Sequence, residues 1–300
     1  MIILNKKLLI TIILLTITYI ISFFQRETNF IMPKNNVLKE DAIFVDINYQ
    51  NKHQKIELEK YVIGVVAAEM PASFEIEALK AQAIAARTYL INTMSINKLV
   101  DTTTSNQVYI DEIAMKEKWK NDYQKYYNKI KTSVSSTKGK IITYKEKPIK
   151  AFYHSRSNGY TESSLNVFNE QYDYLNIVES KWEEQNTEII TINKQDFCHK
   201  LDITCNTILI DNIVKDQSNR VESIVINEKK YTGIEIRKLL SLKSTDFEIK
   251  INGDIISITT KGYGHGVGMS QYGANEMAKS GYNYEEILKY YYQNTEISNI

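Results

Sequence analysis

"AAEMPASFEIEALKAQAIAARTY", Ala67 to Tyr89, carries two helical signals with a break between them. Met70 precedes Pro71, which pushes it out of the helical region, so a first helix ends near Glu69 and the chain bends. Ser73 is expected to cap the next helix, with Glu75 and Glu77 in its first turn, and that helix runs to about Ser95. At about 100° per residue, Ile76, Leu79, Ile84, Leu90, Ile91 and Met94 share one arc. Lys80 and Arg87 fall in the middle of it. A cation on an apolar arc snorkels at the helix edge, pairs with a carboxylate, or faces an anionic ligand. Glu69, at the bend, is placed to sit at the lip of a cleft. Partial burial there would raise its pKa and keep it protonated, fit to donate a proton. Direct contact with Lys80 or Arg87 would lower that pKa, so the cations suit a ligand a little further away.

Upstream, "AIFVDINYQNKHQKIELEKYVIGVVAAEM" reads as strand, turn, strand and a short helix. Residues 25–40 read as a membrane-proximal spacer. Before them, Leu8 to Phe24 is an apolar run without a charge, preceded by Lys6 and Lys7. Its length suits the short end of a membrane span. No A-x-A-like site follows, so an uncleaved anchor over residues 8–24 is expected rather than a cleaved signal peptide. The lysines place residues 1–7 as a cytoplasmic tip and residues 41–300 outside.

Downstream, "EKWKNDYQKYYNKIKTSVSST" reads as a second helical stretch, and "KIITY" and "IKAFYHS" as strands around a "KEKP" turn. After Asn193, short strands at "TILIDNIV", "VESIVIN", "DFEIKING" and "IISITTKGYGHG" surround a helix at "GIEIRKLLS". At the end, Ser270 caps "QYGANEMAK", Gly281 stops it, and Asn283 with Glu286 opens "YEEILKYYYQ" as a capping box. No regular βαβ rhythm appears. The expected fold is α+β, with mixed helices and short antiparallel strands around a substrate cleft, preceded by an N-terminal transmembrane helix.

The 37 basic and 36 acidic residues nearly cancel, so no global field argues for nucleic acid or an anionic membrane surface. The 21 tyrosines offer flat apolar faces with hydroxyl tips, which suit sugars or peptides. Cys198 and Cys205 flank His199 on the external side, where a short-loop disulfide is chemically possible. That local group lacks the ligands a zinc site needs.

Two further stretches carry chemistry. "KGYGHGVGMSQYGA", Lys261 to Ala274, holds glycines at period two; if extended, one face is bare of side chains and open to close approach by backbone or ligand. A dinucleotide fingerprint is excluded by its place near the C-terminus, outside a βαβ unit. In "AFYHSRSNGYTES", Ala151 to Ser163, alternation puts Phe152, His154 and Arg156 on one face and Tyr153 and Ser155 on the other. A hydrolytic Ser–His pair from adjacent residues is therefore unsupported.

Together, "VAAEMPASFEIEALKAQAIAARTY", "SNQVYID", "PIKAFYHSRSNGYTES", "TGIEIRKLLSLKSTDFEI" and "GYGHGVGMSQYGA" resemble, in order, the motifs of the stage II sporulation protein D family, which also takes in the amidase-enhancer proteins. The resemblance covers roughly Glu57 to Tyr292. It implies a lytic transglycosylase acting on peptidoglycan glycan strands stripped of their stem peptides, with Glu69 as the catalytic acid. His154, Ser155, Tyr160, Thr161, Glu162, His265, Ser270 and Gln271 map onto the family's other motif positions and are expected to line the groove. Lys80, Gln82 and Arg87, on the helix after Glu69, are further substrate-binding candidates, the two cations by their place on its apolar arc. Lys80 and Arg87 would read the lactyl carboxylate of muramic acid. Some relatives hold zinc near the "HS…GYTE" segment; here His154 is followed by Tyr160, Leu165 and Asn166, so no metal and no cofactor is expected. The implied setting is the mother-cell membrane of a sporulating bacterium, facing the forespore, with a cell-wall amidase and a multispanning membrane protein of the engulfment machinery as partners. The alternative is a non-catalytic amidase enhancer or glycan-binding module.

Overall fold

The computed structural model describes residues 42–96, 99–104, 106–184 and 186–300. The expected anchor at 8–24 lies outside them. Among the described residues no helix is long and apolar enough to cross a membrane.

Strands β1 (Phe44–Tyr49) and β2 (Lys52–Glu57) form a tight antiparallel hairpin. Its two turn residues, Gln50 and Asn51, both adopt positive φ, which matches the twist of the flanking strands. Helix α1 (Leu58–Glu69) follows at once and stops where expected, because Met70 is extended ahead of Pro71. Helix α2 (Ile76–Met94) starts later than its sequence suggests. Ser73 does not cap it: Pro71 to Phe74 close a turn of their own, and Glu75 stands at the cap position with no side-chain cap bond.

The amphipathic arc read on α2 is only part of its buried surface. Ala78, Ala81, Ala83, Ala85 and Ala86 are all fully buried, so small side chains let neighbours approach from several sides. Ile76, counted on the apolar arc, is exposed. Helix α2 is thus the central rod of the larger core, and Arg87 is among its buried residues.

Strand β3 (Leu99–Asp101) joins β1 in parallel. The second helical stretch is broken, into α3 (Glu112–Trp119) and α4 (Tyr123–Ser135), by a single turn at Lys120–Asp122, where Lys120 takes positive φ. Strands β4 (Lys140–Tyr144) and β5 (Lys147–Pro148) pair around the Lys145–Glu146 turn. "IKAFYHS" is not a continuous strand. Two consecutive tight turns, Ala151 N–H to Ile149 C=O and Phe152 N–H to Lys150 C=O, leave only β6 (Tyr153–His154) extended. The expected alternation of faces over 152–156 fails for that reason. Helix α5 (Ser164–Phe168) follows.

A second core is built by β7 (Thr187–Asn193), α6 (Lys194–Leu201), β8 (Ile210–Lys215), β9 (Val221–Ile226), β10 (Lys229–Thr232), α7 (Gly233–Leu239), β11 (Asp246–Asn252) and β12 (Ile255–Lys261). Two three-stranded antiparallel sheets, ordered β10-β9-β8 and β11-β12-β7, enclose Phe197, Ile224, Ile236, Ile256 and Ile258. Cys198 and Cys205 are joined in a disulfide there.

The chain returns to the first core through β13 (Met269–Ser270), which pairs in parallel with β6. It ends in α8 (Gln271–Lys279), α9 (Tyr284–Tyr291) and β14 (Glu296–Asn299). Ser270 caps α8 and Asn283 with Glu286 forms a capping box on α9, as the sequence predicts. The fold is mixed, with short strands, and two of its pairings (β1 with β3, β6 with β13) are parallel rather than antiparallel.

Candidate active site

The end of α1, Thr104, Asn106 and Gln107, β6 and the glycine-rich segment converge on a cleft of about 490 Å³. Glu69 is the only carboxylate among the described residues that line it; Tyr89, Asn106, Gln107, Phe152, His154 and Gln271 are among the others. The α1 bend puts Glu69 at the last helical position, where the Val108 N–H donates to its Oε1 at 2.8 Å. Burial pushes its carboxyl pKa above the ordinary value, more strongly than the Val108 bond and the charge of Lys118 pull it down. Lys118 does not pair with it directly; its ammonium donates to the carbonyls of Ala67 and Ala68 at 2.8 and 3.3 Å, in the last turn of the same helix.

The glycine-rich segment is not extended. Gly262, Gly264, Gly266 and Gly268 all take positive φ, so the bare face expected of a strand does not exist. What the glycines allow is close packing. A Cβ on Gly268 would stand 2.0 Å from the Phe152 carbonyl oxygen, and one on Gly266 would meet the Arg220 guanidinium at 2.7 Å.

This packing carries two histidines to the cleft wall, with ring centroids 6.0 Å apart. His154 Nδ1 lies 3.2 Å from the Val267 carbonyl, which can only accept, so Nδ1 holds the proton and Nε2 is a bare acceptor. That Nε2 is buried with no partner among the described residues. The Val267 N–H donates to His265 Nδ1 at 3.0 Å. Burial, with Arg237 and Arg220 nearby, pushes the His265 pKa down to about 4. Burial, His265 and Arg220 hold His154 well below its usual range, so both rings are neutral at physiological pH. Among the described residues no group of three or more His, Cys, Asp or Glu side chains is placed to hold a metal ion.

Of the residues singled out in the sequence, Glu69, His154, Ser155, His265 and Gln271 line the cleft together. The others do not. Arg87 is fully buried and held by Glu59 through two bonds, Nε to Oε1 at 2.9 Å and Nη2 to Oε2 at 2.6 Å, with Nη1 donating to the Lys140 carbonyl at 3.0 Å. With no exposed surface, it cannot read a ligand carboxylate; Glu59 is the partner the apolar arc had hidden. Lys80 pairs with Glu77 at 2.7 Å and lies over the Tyr284 ring, away from the cleft lining. The burial of Arg87 corrects the expectation that it touches substrate, while Lys80 pairs with a carboxylate at the helix surface.

Gln82 is fully buried behind Gln271, whose Nε2 donates to Gln82 Oε1 at 3.3 Å. Ser270 is also buried, donating to Glu183 Oε1 at 2.5 Å. Thr161 donates to the Asn176 carbonyl at 3.0 Å, Tyr160 is exposed outside the cleft lining, and Glu162 is buried, accepting from the Ser163 N–H, Asn166 Nδ2 and the Ser218 hydroxyl. These five stand behind or beside the wall rather than on it. Arg220 was not singled out at all. It reaches from β9's leading edge, donates to the Tyr160 carbonyl at 3.2 Å and fills the space left by Gly266. Its near partners, Ser218 and Asp216, give no hint of the cleft; the contacts with Tyr160 and Gly266 that tie it to the wall lie 40 residues or more away. Asn106 and Gln107 did have a signal, in "SNQVYID", but one that gave neither a role.

Residues 47–144 match the family model described as Stage II sporulation protein. Two relatives extend the match along the chain. Stage II sporulation protein D of Bacillus amyloliquefaciens is 43% identical over 288 residues, spanning 91% of this chain and 83% of that protein. Stage II sporulation protein D of Bacillus subtilis (strain 168) is 43% identical over 277 residues, spanning 87% and 80%. The chain belongs to the stage II sporulation protein D family. A protein of Bacillus subtilis (strain 168) described as amidase enhancer is 31% identical over 294 residues, spanning 78% of this chain and 40% of that protein. The family model covers Glu69 and both helices around it, but ends before the histidines and the glycine-rich segment, which the longer alignments span in extent.

Proposed function

We propose that this member of the family is a membrane-anchored lytic transglycosylase that cleaves peptide-free peptidoglycan glycan strands between N-acetylmuramic acid and N-acetylglucosamine. The observation that carries the reading is a single carboxylate, Glu69, in a polar and aromatic cleft, held toward its protonated form by burial. Most glycosidases that use water work with two carboxylates. One suffices if the nucleophile is the muramyl sugar's own C6 hydroxyl. Glu69 gives its proton to the glycosidic oxygen as the bond from C1 breaks. The C6 oxygen then bonds to C1, and the Glu69 carboxylate takes the C6 proton, regenerating the acid and leaving a 1,6-anhydro end. The side chains of Thr104, Asn106 and Ser155, the accessible polar groups on the cleft lining, serve to orient sugar hydroxyls and N-acetyl groups, with the buried His154, Gln107 and Gln271 fixing the wall behind them. No metal or other cofactor takes part in this scheme.

In this reading residues 8–24 hold the protein in the mother-cell membrane, with its body facing the forespore. An amidase supplies the peptide-free strands during engulfment, and a multispanning membrane protein completes the machinery; nucleic acid has no role. The amidase-enhancer relative supports a second reading, in which the cleft binds glycan and stimulates the amidase without cleaving.

The test uses the full chain in detergent on amidase-treated peptidoglycan. Soluble anhydro-ended sugars are expected, with Glu69→Gln lowering their rate by about 100-fold or more. Undiminished cleavage by Glu69→Gln would overturn the assignment. Absence of cleavage together with stimulated amidase turnover would establish the second reading.

A further inference from the structure

A second groove, of about 530 Å³, opens on the far part of α2 and the β4–β5 hairpin. Tyr144 and Tyr174 wall it, with ring centroids 5.4 Å apart, and Tyr172 stacks on Tyr174 from behind. Asn92 lies on its floor, fixed by a bond from Nδ2 to the Pro148 carbonyl at 2.9 Å. Lys145 and Lys147 stand on its rim, both exposed, and no carboxylate lines it. Lys145 lies 4.8 Å over the Tyr144 ring; among the described residues Lys147 has no acidic partner. Of the acids nearby, Asp173 accepts from the Tyr144 hydroxyl at 2.8 Å and attracts Lys145, Glu170 pairs with Lys150 at 2.8 Å, and Glu146, exposed in the turn between the two lysines, stands off the groove lining.

Groove and cleft share their supports. Tyr89, which lines the cleft and packs on Phe152 at 5.7 Å, precedes Asn92 by three residues on α2, about 4.5 Å of helical rise. The segment from Lys147 to His154 lines the groove at its start and the cleft at its end.

We propose that this groove is a remote binding site for the same acidic glycan strand that occupies the cleft. The proposal rests on the glycan-cleaving reading above. Aromatic faces suit the apolar faces of sugar rings, the amide suits N-acetyl groups, and two exposed lysines on a groove whose lining holds no carboxylate suit lactyl carboxylates, which a peptide-free strand exposes at every second sugar. Binding energy gained there raises affinity for long strands without touching the chemical step.

The test compares the full chain with Lys145→Ala/Lys147→Ala on long peptide-free strands and on tetrasaccharides of the same composition. Two rim charges predict a five- to tenfold rise in KM on long strands, roughly, with kcat and tetrasaccharide kinetics unchanged. Equal KM values on long strands would overturn the proposal, as would an equal loss on both substrates. Retention on immobilised strands separates this inference from the catalytic reading. If the wild type cleaves nothing but retains peptide-free strands better than the variant does, the groove stands and the enzyme reading falls. Retention of uncharged chitin oligomers that falls equally in the variant would overturn the carboxylate assignment.

Discussion

At the scale of single residues, Glu69 and Arg87 show how far a charge pattern can be read. Both were conspicuous in one stretch of sequence, an acid at a kink and a cation on an apolar arc. The acid stands in a cleft, and the cation is consumed by Glu59, 28 residues upstream, which no helical wheel of α2 can display. Arg87→Met should therefore act on stability. Leaving Glu59 without its buried partner is expected to cost about 3–5 kcal/mol in chemical denaturation, with KM unchanged in whatever protein still folds. For Glu69 the sign follows from its raised pKa. The protonated acid is present below that pKa and lost above it, so kcat should fall as pH rises through it. Lys118 lowers the same pKa by its charge. Tyr61 and Tyr153 also face the carboxyl, from α1 and β6, and His154 and His265 stand neutral across the cleft. Lys118→Met should move the falling limb of the kcat–pH profile to higher pH, and Lys118→Arg should restore it. An unmoved limb would remove Lys118 from the acid's environment.

At the scale of elements, the glycines at period two illustrate a correct signal with the wrong geometry. Their spacing marked close approach, and close approach is what they provide, but through left-handed backbone rather than through one face of a strand. Gly268→Ala would drive a methyl into the Phe152 carbonyl where β6 meets β13. Gly253→Ala has the same positive φ and nothing within 4 Å. The second should cost about 1–2 kcal/mol in backbone strain alone. The first should cost clearly more in thermal denaturation and also lower turnover, because His154 and His265 shift with the wall. Equal losses would mean that the contact is dispensable. Hairpins, caps and the α1 stop were legible because local chemistry sets them: paired turn residues, Asn283 with Glu286, and Pro71. The break at Lys120, the double turn at 149–152 and the late start of α2 were not, because contacts distant in sequence set them. Asn275, accepting the Glu75 N–H at 2.8 Å from 200 residues away, is one such contact.

At the scale of the molecule, the two cores divide the labour. The first positions Glu69 and the helices behind it. The second, closed by the Cys198–Cys205 disulfide, lends Arg220 to brace the glycine-rich wall. Opening the disulfide's short loop, by Cys198→Ser/Cys205→Ser, should destabilise the second core by roughly 2–3 kcal/mol. Turnover well below the melting temperature should persist, since Arg220 and the cleft remain in place. Loss of turnover in a variant that is still folded would show that the second core does more than brace. The account as a whole turns on whether water is a reactant. The direct measurement is cleavage of peptide-free strands by the full chain in heavy-oxygen water, with the mass of the new muramyl ends read by spectrometry. Closure by the sugar's own hydroxyl predicts ends lighter by one water and free of the heavy isotope. Ends carrying it would make the protein a hydrolase, and a second carboxylate would then have to be found.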